Sequence, residues 1–173
     1  MKKIILFAFF TLFISCQEDK PFFDFDEAYL YQISSKESNK FFGDDKSTTQ
    51  TEKEEFNKIA FMYSYPTALD DKWYFEKIET YYPKKQKIDK SKLKELSNIF
   101  TERKEEMTEA MACDPIFRNV FIFKKEGKVV GISKICFDCL EHHTIGSKRN
   151  TKHFGSNNEF KKLEILVGWS DSH

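Results

Sequence analysis

The sequence predicts an α+β fold, a two-layer antiparallel sheet built round a central β-hairpin with two or three helices. Three observations predict it. Residues 119–123 (NVFIF) and 129–135 (VVGISKI) are rich in β-branched and aromatic residues, and Lys125-Glu126-Gly127 separates them. Residues 89–103 and the stretch after Ser156 carry apolar side chains at helical spacing. Residues 28–33 and 56–65 add two strand-like runs. The order strand, strand, helix, hairpin, helix is that of helices packed on an antiparallel sheet.

Residues 1–15 read as a signal peptide. The chain starts Met-Lys-Lys, residues 4–14 are apolar but for Thr11, and Ser15 precedes Cys16. The apolar run falls well short of the roughly 20 residues a spanning helix needs. Phe13-Ile14-Ser15-Cys16 resembles a bacterial lipobox, in which the chain is cut before the cysteine and lipid is attached to its sulfur. Phe13 stands where leucine is usual. Cys16 is therefore the expected lipidation residue, with acyl chains such as palmitate held by ~0.8 kcal/mol per buried CH₂. A plain signal peptide, cut elsewhere with Cys16 lost or free, is the simpler alternative. Gln17 after the cysteine resembles outer-membrane sorting, and Glu18 and Asp19 resemble surface-export signals of some Gram-negative lipoproteins. The expected location is the cell envelope, lipid-anchored in the outer membrane or at the cell surface.

Removing residues 1–15 takes away Lys2 and Lys3 and no acid. That leaves 26 basic against 28 acidic residues, a net charge of −2, which is no footprint for nucleic acid. The remaining chain suits one domain whose core draws on 15 of the 19 Phe and all 7 Tyr. Residues 16–26 read as an acidic tether and 27–169 as a single domain. Residues 35–54 are polar and charged, broken only by Phe41 and Phe42, and predict a flexible loop.

Residues 69–82 fit strand or helix equally, since Trp73, Tyr74, Phe75, Ile78, Tyr81 and Tyr82 satisfy either period. Residues 89–103 form the clearest helix, with Leu93, Leu96, Ile99 and Phe100 on one face and Asp89 or Ser91 as cap. Its lysines continue a basic run from Lys84, Lys85 and Lys87, which reads as a solvated face. Residues 105–111 extend that helix or form a short second one. In the hairpin, a three-residue turn with Gly127 left-handed predicts a bulge closing at Lys124 and Lys128. That register sets Phe123 against Val129, Phe121 against Gly131, Phe117 against Ile135 and Cys113 against Cys139. Apolar pairs on both faces imply an interior hairpin, and Pro115 is placed to end the ladder early. Glu141-His142-His143 opens a polar loop. Ser156-Asn157-Asn158-Glu159 reads as a capping box for a last helix that Gly168 ends.

Three chemistries fit Cys113, Cys136 and Cys139. An exported chain favours a disulfide, and the hairpin register points to Cys113–Cys139 with Cys136 a buried free thiol. Cys136-Phe137-Asp138-Cys139 also has redox-pair spacing, but it ends a strand rather than opening a helix, and Asp138 opposes a thiolate. Cys113, Cys136, Cys139 and His142 (or His143) make a Cys₃His set with zinc-ligand spacings, although a second Cys-x-x-Cys is lacking. No cofactor is expected under the first reading, and zinc under the third. No Ser-His-Asp arrangement, phosphate-binding glycine loop or paired carboxylates are present at a recognisable spacing.

Cys113-Asp-Pro115-Ile-Phe-Arg118, the strand NVFIF, the turn at Gly127 and Ile135-Cys136-Phe137-Asp138-Cys139 resemble a pattern in uncharacterised bacterial proteins, many of them exported. Their signature is a cysteine, a proline, an Arg or His, a hairpin and Ile-Cys-Phe-x-Cys. The resemblance covers residues 113–139 and, loosely, the last helix. It implies that the three cysteines and Arg118 belong together, and it carries no assigned activity. The expected function is a lipid-anchored, non-enzymatic binding or envelope-associated module with a cysteine-stabilised fold. The alternative is a metal-binding or thiol-redox lipoprotein using Cys113, Cys136, Cys139 and His142.

Overall fold

The computed structural model describes residues 20–43, 45–104 and 113–169. The signal peptide, Cys16 and residues 105–111 lie outside the described residues. An open antiparallel sheet runs in the order β2-β1-β3-β4-β5. Its strands are β1 (Glu27–Gln32), β2 (Lys84–Lys87), β3 (Asn119–Lys125), β4 (Lys128–Cys136) and β5 (Glu141–Ile145). β3 is the middle strand and is buried from Asn119 to Phe123, as apolar residues on both faces of the hairpin require.

Alternation along the strands sends side chains to two cores. Leu30, Phe121, Phe123 and Ile135 meet Leu96 and Ile99 of α4 (Leu93–Ile99) and Phe160, Leu163 and Leu166 of α5 (Glu159–Val167). On the other face Tyr31, Val120, Ile122 and Ile132 meet Phe56 and Ile59 of α2 (Gln50–Ala60) and Tyr74 and Ile78 of α3 (Lys72–Tyr81). The α+β class with a central hairpin holds, and its helices divide between the two faces.

The hairpin register differs from expectation. Glu126 and Gly127 form a two-residue turn with φ of 49° and 78°, so Lys125 pairs with Lys128. A bulge between Phe123 and Lys124 then shifts the ladder, and Phe123 faces Gly131 while Asn119 faces Ile135. Phe123 has moved by two positions from its expected partner, which keeps it on the same face. The edge strands were not expected. β2 (KKQK) is exposed throughout, and besides its backbone ladder Lys87 pairs with Glu27 and Lys85 lies 5.1 Å over the Tyr31 ring; lysines on an edge discourage further strand addition.

The strand expected over 56–65 is instead the end of α2 and the turn after it. Thr49 Oγ1 accepts the Glu52 N–H at 3.2 Å and Glu52 Oε2 accepts the Thr49 N–H at 2.7 Å, a capping box that starts the helix in polar sequence. Residues 35–54, expected as a flexible loop, also hold α1 (Ser35–Ser38) with its own capping box and a 3-10 turn, Asn39–Phe41. Phe41 stacks on Phe56 at 4.3 Å and Phe42 meets Phe61 edge-on at 5.1 Å. Two phenylalanines dock the segment that composition alone assigns to solvent.

The tether is shorter than residues 16–26. Pro21 bridges Thr101, and Phe22 and Phe23 are only 3% and 4% exposed. Phe23 stacks on Phe123 at 4.6 Å and lies over Gly131, where a Cβ would stand 2.3 Å from its ring. Among the described residues the fold therefore reaches back to Lys20, seven positions before the domain start expected at residue 27, because these rings fill the first core. The helix expected over 89–103 is confined to a 3-10 turn, Lys90–Lys92, and α4, since Phe100 and Thr101 turn away to meet the N-terminal segment. Before α5, Asn158 is left-handed (φ 58°) and the expected capping box does not form; Glu159 Oε2 accepts the Gly155 and Asn157 N–H groups instead. Gly168 ends α5 as expected. Among the described residues no helix is long and apolar enough to cross a membrane.

Candidate functional site

The three cysteines gather where β4 ends. β4 stops at Cys136, residues 137–140 turn the chain with Leu140 left-handed (φ 51°), and β5 returns beside β4. Residues 113–118 run in outside the ladder, past Pro115. Three bonds pin them: the Phe117 N–H donates to the Ala60 carbonyl at 2.8 Å, the Tyr82 hydroxyl donates to the Phe117 carbonyl at 2.5 Å, and the Ile33 N–H donates to the Arg118 carbonyl at 3.1 Å. The ends of α2 and α3 thus set where Cys113 lies.

Cys113 and Cys139 form a disulfide, their Cα atoms 5.9 Å apart. The pairing matches expectation, but the ladder does not create it, because the ladder ends at Asn119 and Ile135. Cys136 is free and buried, packed with Phe117 and Cys139, and its Sγ accepts the Cys139 N–H at 3.4 Å. Burial pushes its thiol up, and Asp138 adds to this against the pull of neighbouring N–H groups and Arg118. Arg118, itself buried, makes an ion pair with half-exposed Asp138. Arg118, Asp138 and the three cysteines therefore stand together.

The histidines are divided by the sheet. His142 pairs with Ile135 and faces the first core, its ring 4.9 Å from Phe154 and its Nδ1 3.2 Å from the Thr144 hydroxyl. His143 pairs with Lys134 on the opposite face, beside Tyr63. Cys136 shares that second face, so His142 and the Cys136 thiol point to opposite sides of the sheet. With two of its sulfurs joined to each other as well, the Cys₃His zinc set is not assembled here. Among the described residues no group of three or more His, Cys, Asp or Glu is placed to hold a metal.

Lys134 was missed from the sequence. It is fully buried, Nζ donating to the Ile59 and Met62 carbonyls at 3.0 and 2.6 Å and lying 4.7 Å over the Phe117 ring. The Ile59 carbonyl belongs to the last turn of α2, which lacks intrahelical donors, and Met62 lies just beyond that helix. Burial pushes the Lys134 amine down to about 7. His143 falls to about 4 for the same reason, with Lys134 and His142 adding to it, and its Nε2 has no hydrogen-bond partner. A lysine between Ile132 and Cys136 on a strand's inward positions is the signal that marks it. Lys134 is thus shut in, whereas His143 keeps intermediate exposure beside the exposed Tyr63 ring. Comparison of the chain with protein-family profiles, with curated proteins and with solved structures finds no match.

Proposed function

We propose that the protein is a lipid-anchored envelope module of a Gram-negative bacterium, in the outer membrane or at the cell surface, that binds rather than catalyses. The observation that carries this reading is the distance from Cys16 to the fold. Docked contacts among the described residues reach back to Lys20, four positions after a cysteine set between an apolar run and a polar one. Such an arrangement holds a domain close to a membrane surface by its N-terminus. The Cys113–Cys139 bond supports export, because disulfides persist in oxidising compartments. The likeness of residues 113–139 to exported bacterial proteins points the same way.

Fractionation of cells tests it. Wild type should follow the membranes and resist extraction by salt, and Cys16→Ser should be lost from them. A Cys16→Ser variant that stays membrane-bound would overturn the anchor. The thiol-redox reading keeps one observation in its favour, the contact of Cys136 with Cys139. Exchange would join Cys136 to Cys139 and leave Cys113 as the thiol, so a Cys136–Cys139 bond in protein trapped at low pH would support it.

A further inference from the structure

Among the described residues, the chain's exit near Lys20 shares a surface with Glu102 and with the cations Lys148, Arg149 and Lys152. The Glu102 N–H donates to the Lys20 carbonyl at 2.9 Å, and the Asn150 N–H donates to Glu102 Oε1 at 3.1 Å. These two bonds bring the exit, residues 101–104 and the loop 147–153 onto one surface. The loop is internally braced. The Ser147 hydroxyl donates to the Arg149 carbonyl and accepts its N–H, both at 3.0 Å, and the Lys152 N–H donates to Asn150 Oδ1 at 2.9 Å. Lys20, Lys148, Arg149 and Lys152 are exposed, and none has an ion-pair partner among the described residues. Arg103 is excluded from this set, because Glu159 holds it at 2.9 Å.

We propose that this surface seats on anionic phospholipid headgroups beside the lipid anchor. The proposal rests on the anchored reading above. Four residue steps separate Cys16 from Lys20, so at ~3.5 Å per step the acyl chains enter the membrane within about 14 Å of Lys20. A domain tethered that closely must turn some face to the headgroups, and the face nearest the anchor offers these four exposed cations. Polybasic segments at a membrane surface act as the second signal beside an acyl chain.

The test uses the full mature chain purified from membranes, with its mass read for acylation. It is reconstituted on vesicles of phosphatidylcholine alone or with about 30% phosphatidylglycerol, and lysine acetylation is mapped in roughly 0.1 M salt. On the anionic vesicles Lys20, Lys148 and Lys152 should react at least about threefold more slowly than on neutral ones, with Lys46 and Lys84 unchanged. About 0.5 M salt should restore their reactivity. In Lys148→Gln/Arg149→Gln/Lys152→Gln, Lys20 should lose its protection while Lys46 and Lys84 react as they do in wild type. Equal reactivity on both vesicles would overturn the proposal. So would protection on both and in detergent, which would assign the loop's cations to Glu18 and Asp19 of the tether. An unacylated mass would refute the anchor alone; salt-sensitive sedimentation with the anionic vesicles, lost in the triple variant, would then be the deciding result for the surface.

Discussion

Lys134 shows how a single inward lysine ties strand to helix at the closed end of the molecule. Its amine, at about 7 against an ordinary 10.5, gives a stability effect of known sign. Between those values the unfolded chain keeps a proton that the folded chain releases, so stability rises with pH above about 7. Urea unfolding at pH about 7 and about 8.5 should show the rise, and Lys134→Met should abolish it. His142 and His143 act at the other side. Burial holds each at about 4 against 6.5, so their contribution is complete above pH 6.5 and is lost as pH falls toward 4. His142→Asn/His143→Asn should flatten that decline above pH ~5, where the lowered carboxylates do not yet titrate. At Gly131, Ala should cost about 1–3 kcal/mol by pushing Phe23 off Phe123, as thermal unfolding would read. Of the residue-level chemistry, the Cys113–Cys139 pair was legible, though the register that suggested it is not the one formed. Lys134 and the Arg118–Asp138 pair were not, because a pairwise reading of cysteines and histidines passes over them.

At the scale of elements, the N-terminal segment and residues 35–54 carry the clearest consequences. Phe23→Ala should destabilise the domain by about 3–5 kcal/mol, comparable with a core strand residue, if the fold begins at Lys20. A tether would show no effect. Limited proteolysis should leave residues 39–54 intact while the fold persists, since Phe41 and Phe42 pack on Phe56 and Phe61. Rapid cutting there would restore the flexible-loop reading. Strands β1, β3 and β4 and helices α4 and α5 were legible because their apolar periods match their final environment. α2 was read as a strand because its buried face (Phe56, Ile59, Ala60) begins only after a polar first turn. β2 and β5 lie at the edges, where lysines and histidines replace the alternating apolar residues that mark a strand.

The whole molecule is a sheet covered on both faces, with its chain exit at one surface and its disulfide at the open end of the hairpin. The disulfide closes a sequence separation of 26 residues and should contribute roughly 2–4 kcal/mol. Cys113→Ser should therefore lower the urea midpoint and release Cys139 as a thiol, with Cys136 unreactive until the protein unfolds. The proposed anchor at Cys16 would hold the surface of this domain close to a membrane. That account depends on Cys16. Feeding cells a clickable fatty acid and comparing wild type with Cys16→Ser tests it most directly. The account predicts a labelled wild-type band at the mass of a chain beginning at Cys16, and no label on the variant. Equal labelling of the two, or an unlabelled wild type, would contradict it.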